Sequence, residues 1–218
     1  MLRLRLRALG LAAALVGWSF VSPRLPPAYR TPAQAAAGSL LALMTRAPLG
    51  FRPPQVWTGL RLGSTAAALV TATILGTTPV PKVRLSMSAR EVPASVPGWL
   101  GWQIPVGTVW AEEAAFRGAL GSTAAQGFGV TGGRLLQAGA FGLSHLADAR
   151  ALGEPLLPIV VVTGLAGWVF GWLAERSGSL AAPILVHLAI NEAAAVALLV
   201  VKGRPAGPPV ERLTRRAN

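Results

Sequence analysis

Two long apolar segments near the C-terminal end constrain the fold more than any other feature of this chain. They cover residues 156–174 and 180–201 and hold very few charged side chains. A hydrocarbon core of about 30 Å needs about 20 apolar residues in a helix that crosses it. The whole chain of 218 residues is 52% hydrophobic and 13% charged, which excludes an ordinary soluble protein and a disordered one. The sequence therefore predicts a membrane protein.

Five further apolar segments precede them, of which residues 62–80 are the clearest span and the others are shorter or carry charge. They are residues 9–21, 33–44, 62–80, 96–120 and 135–147. The first follows a basic start without a small-residue cleavage site behind it, so we predict an uncleaved helix. Residues 33–44 are too short for a confident span, and residues 81–95 are predicted to be a loop with a short helix. The expected fold is all-α, a polytopic bundle of about six to seven membrane helices.

The chain divides into three predicted regions. Residues 1–61 form an N-terminal membrane anchor with a basic interfacial segment, residues 62–201 form the helical membrane core, and residues 202–218 form a basic tail. Two basic termini favour an even number of spans with both ends in the cytoplasm. The arginines between residues 23 and 61 contradict this simplest arrangement. Gly164, Gly167 and Gly171 predict a small-residue face against a neighbouring helix.

The charge surplus is explained by membrane topology and lipid contact. The chain has 20 Lys and Arg against 8 Asp and Glu, a formal charge of +12. These basic residues flank apolar segments, as orientation and lipid headgroups require. No stretch interleaves aromatic with basic residues, so we predict a lipid bilayer as partner and no nucleic acid. The preference for arginine over lysine, with abundant Ala, Gly and Pro, indicates a GC-rich bacterial genome and a multi-pass protein of the bacterial inner membrane.

Ionisable side chains inside the apolar segments are few. The only two histidines, His145 and His187, lie there, as do Glu112, Glu113 and Glu192. An ionisable group at bilayer depth costs about 2.5 to 3.5 kcal/mol on insertion scales and is functional by default. These residues therefore predict a site inside the membrane.

Helical spacing pairs several of these groups. Glu113 and Arg117 are four residues apart and predict an ion pair on one helix face. His187 and Asn191 have the same spacing, and so do Phe141 and His145, where we assign Phe141 to packing. Glu112 points about 100° away from Glu113 on an α-helix, so one carboxylate is free to face a neighbouring helix.

Such a cluster leaves two chemistries open. A desolvated carboxylate is a competent general base for water, and a His or Asn donor stabilises an oxyanion. Alternatively, Glu112, His145 and His187 hold a zinc ion with an open position for water. The absence of cysteine excludes disulfides, thiolate nucleophiles and Cys-based zinc sites.

Three ordered motifs resemble those of the CPBP intramembrane protease family, which includes CAAX prenyl endopeptidases, bacteriocin-processing enzymes and Abi proteins. They are Glu112-Glu113-x-x-x-Arg117, Phe141-x-x-x-His145 and His187-x-x-x-Asn191. Residues 171–187 also resemble the segment that leads into the family's third motif. Small departures at residues 174–177 are expected to affect a loop.

The resemblance implies a metalloprotease or glutamate-type endopeptidase that hydrolyses peptide bonds of membrane-associated or lipidated peptides. Glu112 matches the residue that activates water, with His145 as its partner. Glu113 and Arg117 match the supporting acid and base. His187 and Asn191 match residues assigned to oxyanion stabilisation or to metal binding.

Three other classes of membrane protein share some of these features. A proton-coupled transporter uses buried Glu, His and Arg but commonly shows inverted repeats, which the sequence lacks. A rhomboid-like serine protease needs a Gly-x-Ser-Gly nucleophile, and the sequence around Ser144 lacks the second glycine. A non-proteolytic bacteriocin-immunity protein would keep the same motifs, so the sequence separates it poorly. The oligomeric state is not readable from these residues.

Overall fold

The computed structural model describes residues 1–203, and within that range it contains no β-strand. Two π-helical segments, Trp99–Trp110 and Glu113–Gly121, separate α5 from α6. The predicted basic tail lies outside the described residues from position 204 onward. The α-helices are α1 (Leu2–Val21), α2 (Pro27–Met44), α3 (Gln55–Thr77), α4 (Pro81–Ser88), α5 (Val96–Gly98), α6 (Ser122–Ser144), α7 (Leu146–Ala151), α8 (Leu156–Ser177) and α9 (Ala181–Gly203).

Within residues 1–203, four helical segments are long and apolar enough to cross a membrane. They are Leu2–Arg24, Gln55–Thr77, Leu156–Ser177 and Ala181–Gly203. The prediction of an all-helical membrane protein is confirmed, and the count of six to seven spans is not. The first helix begins at Leu2 rather than at residue 9, so it includes its basic start and gains the length that the apolar run alone lacks. The short helix expected in residues 81–95 is α4. The departures at residues 174–177 belong to the last turn of α8, not to a loop.

The stretch that carries the first motif is an irregular helix. Its two π-helical segments have hydrogen bonds from residue i to i+5, and Pro105, which has no N–H to donate, lies inside the first. Gly129 has φ 74° and ψ 170°, which interrupts α6 within its first half. Such a positive φ is open to glycine at little cost. Because π-helical turns occur frequently at functional sites, this irregularity marks the region of Glu112 and Glu113.

The glycine face of α8 packs against α6, as predicted. A Cβ on Gly167 would lie 2.9 Å from the ring of Phe141, and one on Gly171 would lie 2.7 Å from Oε1 of Gln137. Large residues on the rest of α8 stay exposed, with Leu157 at 74% and Leu165 at 63%. The small residues thus allow close helix packing, while the large ones are suited to contact lipid chains.

The last span, α9, is fixed by α3 and by a tight turn after α8. Gly178 ends α8 in the left-handed conformation at φ 68°, which glycine adopts readily at a helix end. The Leu180 N–H then donates to the carbonyl of Leu49, 3.0 Å away. On α3, a Cβ at Gly63 would lie 2.8 Å from Cα of Ala182, so the two helices approach closely. These contacts set the position of His187 within the bundle.

A pair of glycines on α6 tests the close helix packing. A Cβ on buried Gly142 would lie 2.5 Å from the Val160 carbonyl, whereas one on exposed Gly139 meets nothing within 4 Å. We expect Gly142→Ala to lower the melting temperature of the purified protein, because backbone rather than a flexible side chain must move. Gly139→Ala is the matched control and should leave it unchanged or raise it, since alanine favours a helix over glycine. Equal melting temperatures for the two variants would contradict the packing.

Candidate active site

Glu113 lies at the centre of a buried polar cluster. Its Oε1 accepts a hydrogen bond from Nη1 of Arg117 at 3.1 Å and a second from Nδ1 of His187 at 2.7 Å. The side chains of Glu113 and Arg117 are both 0% exposed, which confirms the predicted ion pair four residues apart. Because the pair is fully desolvated, each charge depends on the other.

His187 on α9 joins both carboxylates of the first motif. A carboxylate oxygen accepts rather than donates, so the proton between His187 and Glu113 belongs to Nδ1. The other ring nitrogen, Nε2, lies 3.8 Å from Oε2 of Glu112, which is longer than a direct hydrogen bond. Phe170 stacks on the imidazole with ring centroids 5.0 Å apart. Glu112 and Glu113 therefore flank opposite nitrogens of one imidazole that is held in place by Phe170.

His145 is oriented by its own chain. Its Nδ1 lies 2.8 Å from the carbonyl of Phe141, and because a carbonyl only accepts, Nδ1 carries the proton. Nε2 is then the nitrogen with a free lone pair. The Phe141 ring meets the imidazole edge-on at 4.8 Å and lies 4.0 Å beneath the Arg117 guanidinium. Phe141 packs against these polar side chains, which agrees with the packing role predicted for it.

Glu112 and His145 line the same cavity, whose volume is about 630 Å³. Its other walls come from α1 and α2, including Leu15, Trp18 and Leu41. The predicted anchor region of residues 1–61 therefore contributes to the site itself. The cavity is lined by both apolar and polar side chains, and the polar ones include a carboxylate and an imidazole.

Helix α2 is held close to the first motif by two contacts. A Cβ on Gly38 would lie 2.5 Å from the Ala111 carbonyl, one residue before Glu112. The Trp110 indole donates to Oγ of Ser39 at 2.9 Å. This close approach makes α2 a wall of the cavity.

Several polar residues of the cavity were missed by the sequence reasoning. Thr108 precedes Glu112 by four residues, so the helical spacing that paired Glu113 with Arg117 could have found it. The others are spread over several elements, and nothing in the sequence brings those elements together. The polar residues missed are Ser19, Ser22, Arg30, Thr31, Gln34, Gln103, Thr108, Ser144 and Asp148.

Asn191 is separate from the cavity. Its Nδ2 donates to the carbonyl of His187 at 3.0 Å, within the same helix. Neither Asn191 nor His187 is among the residues that line the cavity. The structure thus brings together Glu112, Glu113, Arg117 and His187, and places His145 with Glu112 at the cavity. The oxyanion role of Asn191 stays a prediction.

The residues considered for zinc do not form a ligand set. Within residues 1–203, no three His, Asp or Glu side chains are grouped so that they could hold a metal ion. Nδ1 of His187 donates to Glu113 and Nδ1 of His145 donates to the Phe141 carbonyl, so Nε2 is the nitrogen of each imidazole that a metal ion could use. Zinc binding by Glu112, His145 and His187 stays a prediction.

The three motifs fall within a region that matches a known family. Residues 94–193 match the family model described as Rce1-like, type II CAAX prenyl endopeptidase. This match supports the CPBP resemblance seen in the motifs and indicates a protease. No match was found among the curated proteins or the solved structures.

Proposed function

We propose that this membrane protein, Rce1-like over residues 94–193, is an intramembrane endopeptidase that uses water activated by Glu112 and His145. One observation carries the proposal, the presence of both side chains at a single cavity. Within residues 1–203, the buried Oε2 of Glu112 has no hydrogen-bond partner. A buried acceptor without a partner is costly, and the O–H of a water molecule would satisfy it.

The proposed reaction begins with water between Glu112 and His145. Glu112 accepts a proton as the water oxygen bonds to the carbonyl carbon of the scissile peptide. The other O–H of the water donates a hydrogen bond to Nε2 of His145, which orients the nucleophile. Glu112 then delivers its proton to the leaving nitrogen as the carbon–nitrogen bond breaks. The products are an amine and a carboxylic acid, and the carboxylic acid releases the second water proton to solvent.

A buried cluster beside Glu112 supports this chemistry. It consists of Glu113, Arg117 and His187. The carboxylate of Glu113 holds the His187 imidazole by Nδ1, which leaves Nε2 towards Glu112 at 3.8 Å. Because Nδ1 carries the proton, Nε2 of the neutral imidazole is an acceptor, and it takes a hydrogen bond from water bound beside Glu112. We derive no step through a metal ion, because the ligands proposed for zinc do not converge.

The cavity walls favour an apolar substrate. Leu11 and Trp18 of α1 and Leu40 of α2 line the same space as Glu112. Apolar pockets with a few convergent polar groups are typical of small ligand and substrate sites. We infer that the substrate is a membrane-associated or lipidated peptide whose apolar part occupies the wall formed by α1 and α2.

The test is direct assay of the purified full chain in detergent. Prenylated CAAX peptides and a library of membrane peptides are incubated with the protein, with and without a zinc chelator, and products are identified by mass spectrometry. We expect cleavage in both conditions. Loss of cleavage on chelation, together with stoichiometric zinc in the protein, would contradict the metal-free mechanism.

The transporter and immunity alternatives predict other outcomes. Proton or solute flux into proteoliposomes that depends on Glu112, without any peptide product, would identify a transporter. Protection of cells from a bacteriocin that persists in Glu112→Gln would indicate a non-proteolytic role. Either result would overturn the endopeptidase proposal.

A further inference from the structure

A single arginine lines the cavity that contains Glu112 and His145. Among the described residues that line this cavity, Arg30 is the one Lys or Arg, whereas Glu112 and Asp148 are acidic. Arg30 is half-buried and lies in the first turn of α2. A positive charge at this end of a helix is unfavourable to the helix dipole, so helix stability does not explain its position.

The guanidinium of Arg30 is held by the turn between α1 and α2. Its Nη2 donates to the carbonyl of Pro23 at 2.7 Å and to the carbonyl of Leu25 at 3.3 Å. Proline also occupies positions 26 and 27, and each proline fixes one φ angle of the turn. Because the guanidinium is already oriented, little side-chain freedom is lost when it binds a ligand.

One nitrogen of Arg30 remains accessible to a ligand. Nε is fully buried and out of reach, and Nη2 is used by the two carbonyls. Nη1 forms no hydrogen bond within residues 1–203, yet it is not among the buried atoms that lack a partner. Nη1 therefore has accessible surface, and it belongs to a side chain that lines the cavity.

The charge of Arg30 is not neutralised by a carboxylate of the protein. Arg30 forms no salt bridge within residues 1–203, although Glu112 and Asp148 line the same cavity. The two carbonyls accept hydrogen bonds but carry no net charge. Because the other charged side chains of the cavity are acidic and repel an anion, a carboxylate ligand is favoured at Arg30.

The packing of α2 sets the separation between Arg30 and Glu112. Gly38 of α2 lies against Ala111, the residue before Glu112. Arg30 lies eight residues before Gly38, which is roughly 12 Å along a helix that rises about 1.5 Å per residue. An extended peptide advances about 3.3 Å per residue, so about three to five residues span this separation. Arg30 thus lies several residues from the reacting bond.

We propose that Nη1 of Arg30 binds the C-terminal carboxylate of the substrate and so selects peptides that are cut about three to five residues from their C-terminus. The inference rests on the proposed endopeptidase function, which places the substrate in this cavity. A linear peptide carries this carboxylate whatever its sequence, and a carboxylate forms a strong, charge-assisted hydrogen bond with a guanidinium. Arg30 is a specificity residue and does not contact the reacting atoms.

Binding is measured on the purified full chain in detergent with a matched pair of peptides. One is a fluorescent prenylated CAAX peptide with a free C-terminal carboxylate, and the other differs only in a C-terminal carboxamide. All proteins carry Glu112→Gln, so that neither peptide is consumed. Arg30→Met removes the charge and Arg30→Lys retains it. Arg24→Met is the control, because Arg24 lies in the same turn, is exposed and does not line the cavity.

We expect the Glu112→Gln protein and the Arg24→Met control to bind the carboxylate peptide about 10- to 100-fold more tightly than the carboxamide, the range for one hydrogen bond to a charged group. Arg30→Met should bind the two peptides equally, whereas Arg30→Lys should keep part of the preference because its charge remains. A merely structural role would weaken both peptides alike and leave their ratio unchanged. When the wild type cleaves the carboxylate peptide, mass spectrometry should show a released fragment of about three to five residues.

Equal binding of the two peptides by the Glu112→Gln protein, or no binding of either, would overturn this role of Arg30. A carboxylate preference that survives in Arg30→Met would overturn it as well. If Arg30→Met does not fold, Arg30→Gln replaces it, because glutamine still has an N–H to donate to the turn. Cleavage of both peptides at equal rates by the wild type would reject the role of Arg30 alone. Absence of cleavage with an intact carboxylate preference would reject the endopeptidase proposal alone.

Discussion

Glu112→Gln is expected to lower kcat/KM for peptide cleavage by about 10²- to 10⁴-fold, the range that a positioned general base contributes. Glutamine keeps the size of the side chain and one oxygen that accepts a hydrogen bond, yet it cannot take a proton from water. The loss should therefore appear in kcat, with little change in KM, because the walls formed by α1 and α2 still bind substrate. The measurement is steady-state cleavage of a peptide that the wild type hydrolyses.

Glu154→Gln is the matched control for this variant. Glu154 pairs with Arg90 at the protein surface, lies in none of the three motifs and does not line the cavity. It should retain wild-type kcat/KM. Unchanged kcat/KM in a folded Glu112→Gln variant would contradict the proposed mechanism, even though the motifs resemble those of the family.

Glu113→Ala is expected to destabilise the protein by about 3–5 kcal/mol, the cost of leaving a buried charge without its partner. Arg117 would remain 0% exposed with its nearest carboxylate removed, and His187 would lose the acceptor of its Nδ1 proton. Cleavage should fall as well, since the imidazole would no longer be held beside Glu112. The free energy of unfolding is measured by denaturation in mixed detergent micelles.

Arg90→Ala provides the matched comparison for a salt bridge at the surface. Arg90 is 57% exposed in its pair with Glu154, and exposed pairs are worth about 0–1 kcal/mol. We expect that variant to unfold close to the wild type. If Glu113→Ala and Arg90→Ala destabilised the protein equally, the buried cluster would not have the energetic role assigned to it.

Contacts within one helix were predictable from the sequence, whereas contacts between helices were not. Glu113 and Arg117 are four residues apart on one helical segment, and an intrahelical distance follows from helix geometry alone. The contact between Glu113 and His187 joins residues 74 positions apart. It depends on how two helices are rotated and how closely they approach, which one sequence does not specify. The orientation of His145 by the Phe141 carbonyl was likewise unpredicted, although the spacing of the two residues was noted.

The prediction of the membrane spans succeeded for long apolar runs and failed where the helix is irregular. Residues 156–174 and 180–201 correspond to α8 and α9, because long apolar runs have few alternatives in a membrane. Residues 96–120 became a π-helical stretch, and the angle of 100° between Glu112 and Glu113 assumed a regular α-helix. The irregular helix lets both carboxylates flank the single imidazole of His187.

By itself, the sequence determined that this protein belongs in a membrane, and it predicted where its chemistry lies. A chain with 13% charged residues is typical of a membrane protein, and the scarce ionisable residues inside apolar segments mark the candidate site. The tertiary structure decided which of these groups meet. Gly38 and the glycines of α8 allow backbones to approach closely, and this approach forms a cavity from α1, α2 and the motif helices. Helix spacing fixes neighbours along one helix, whereas contacts between helices arise only from packing in three dimensions.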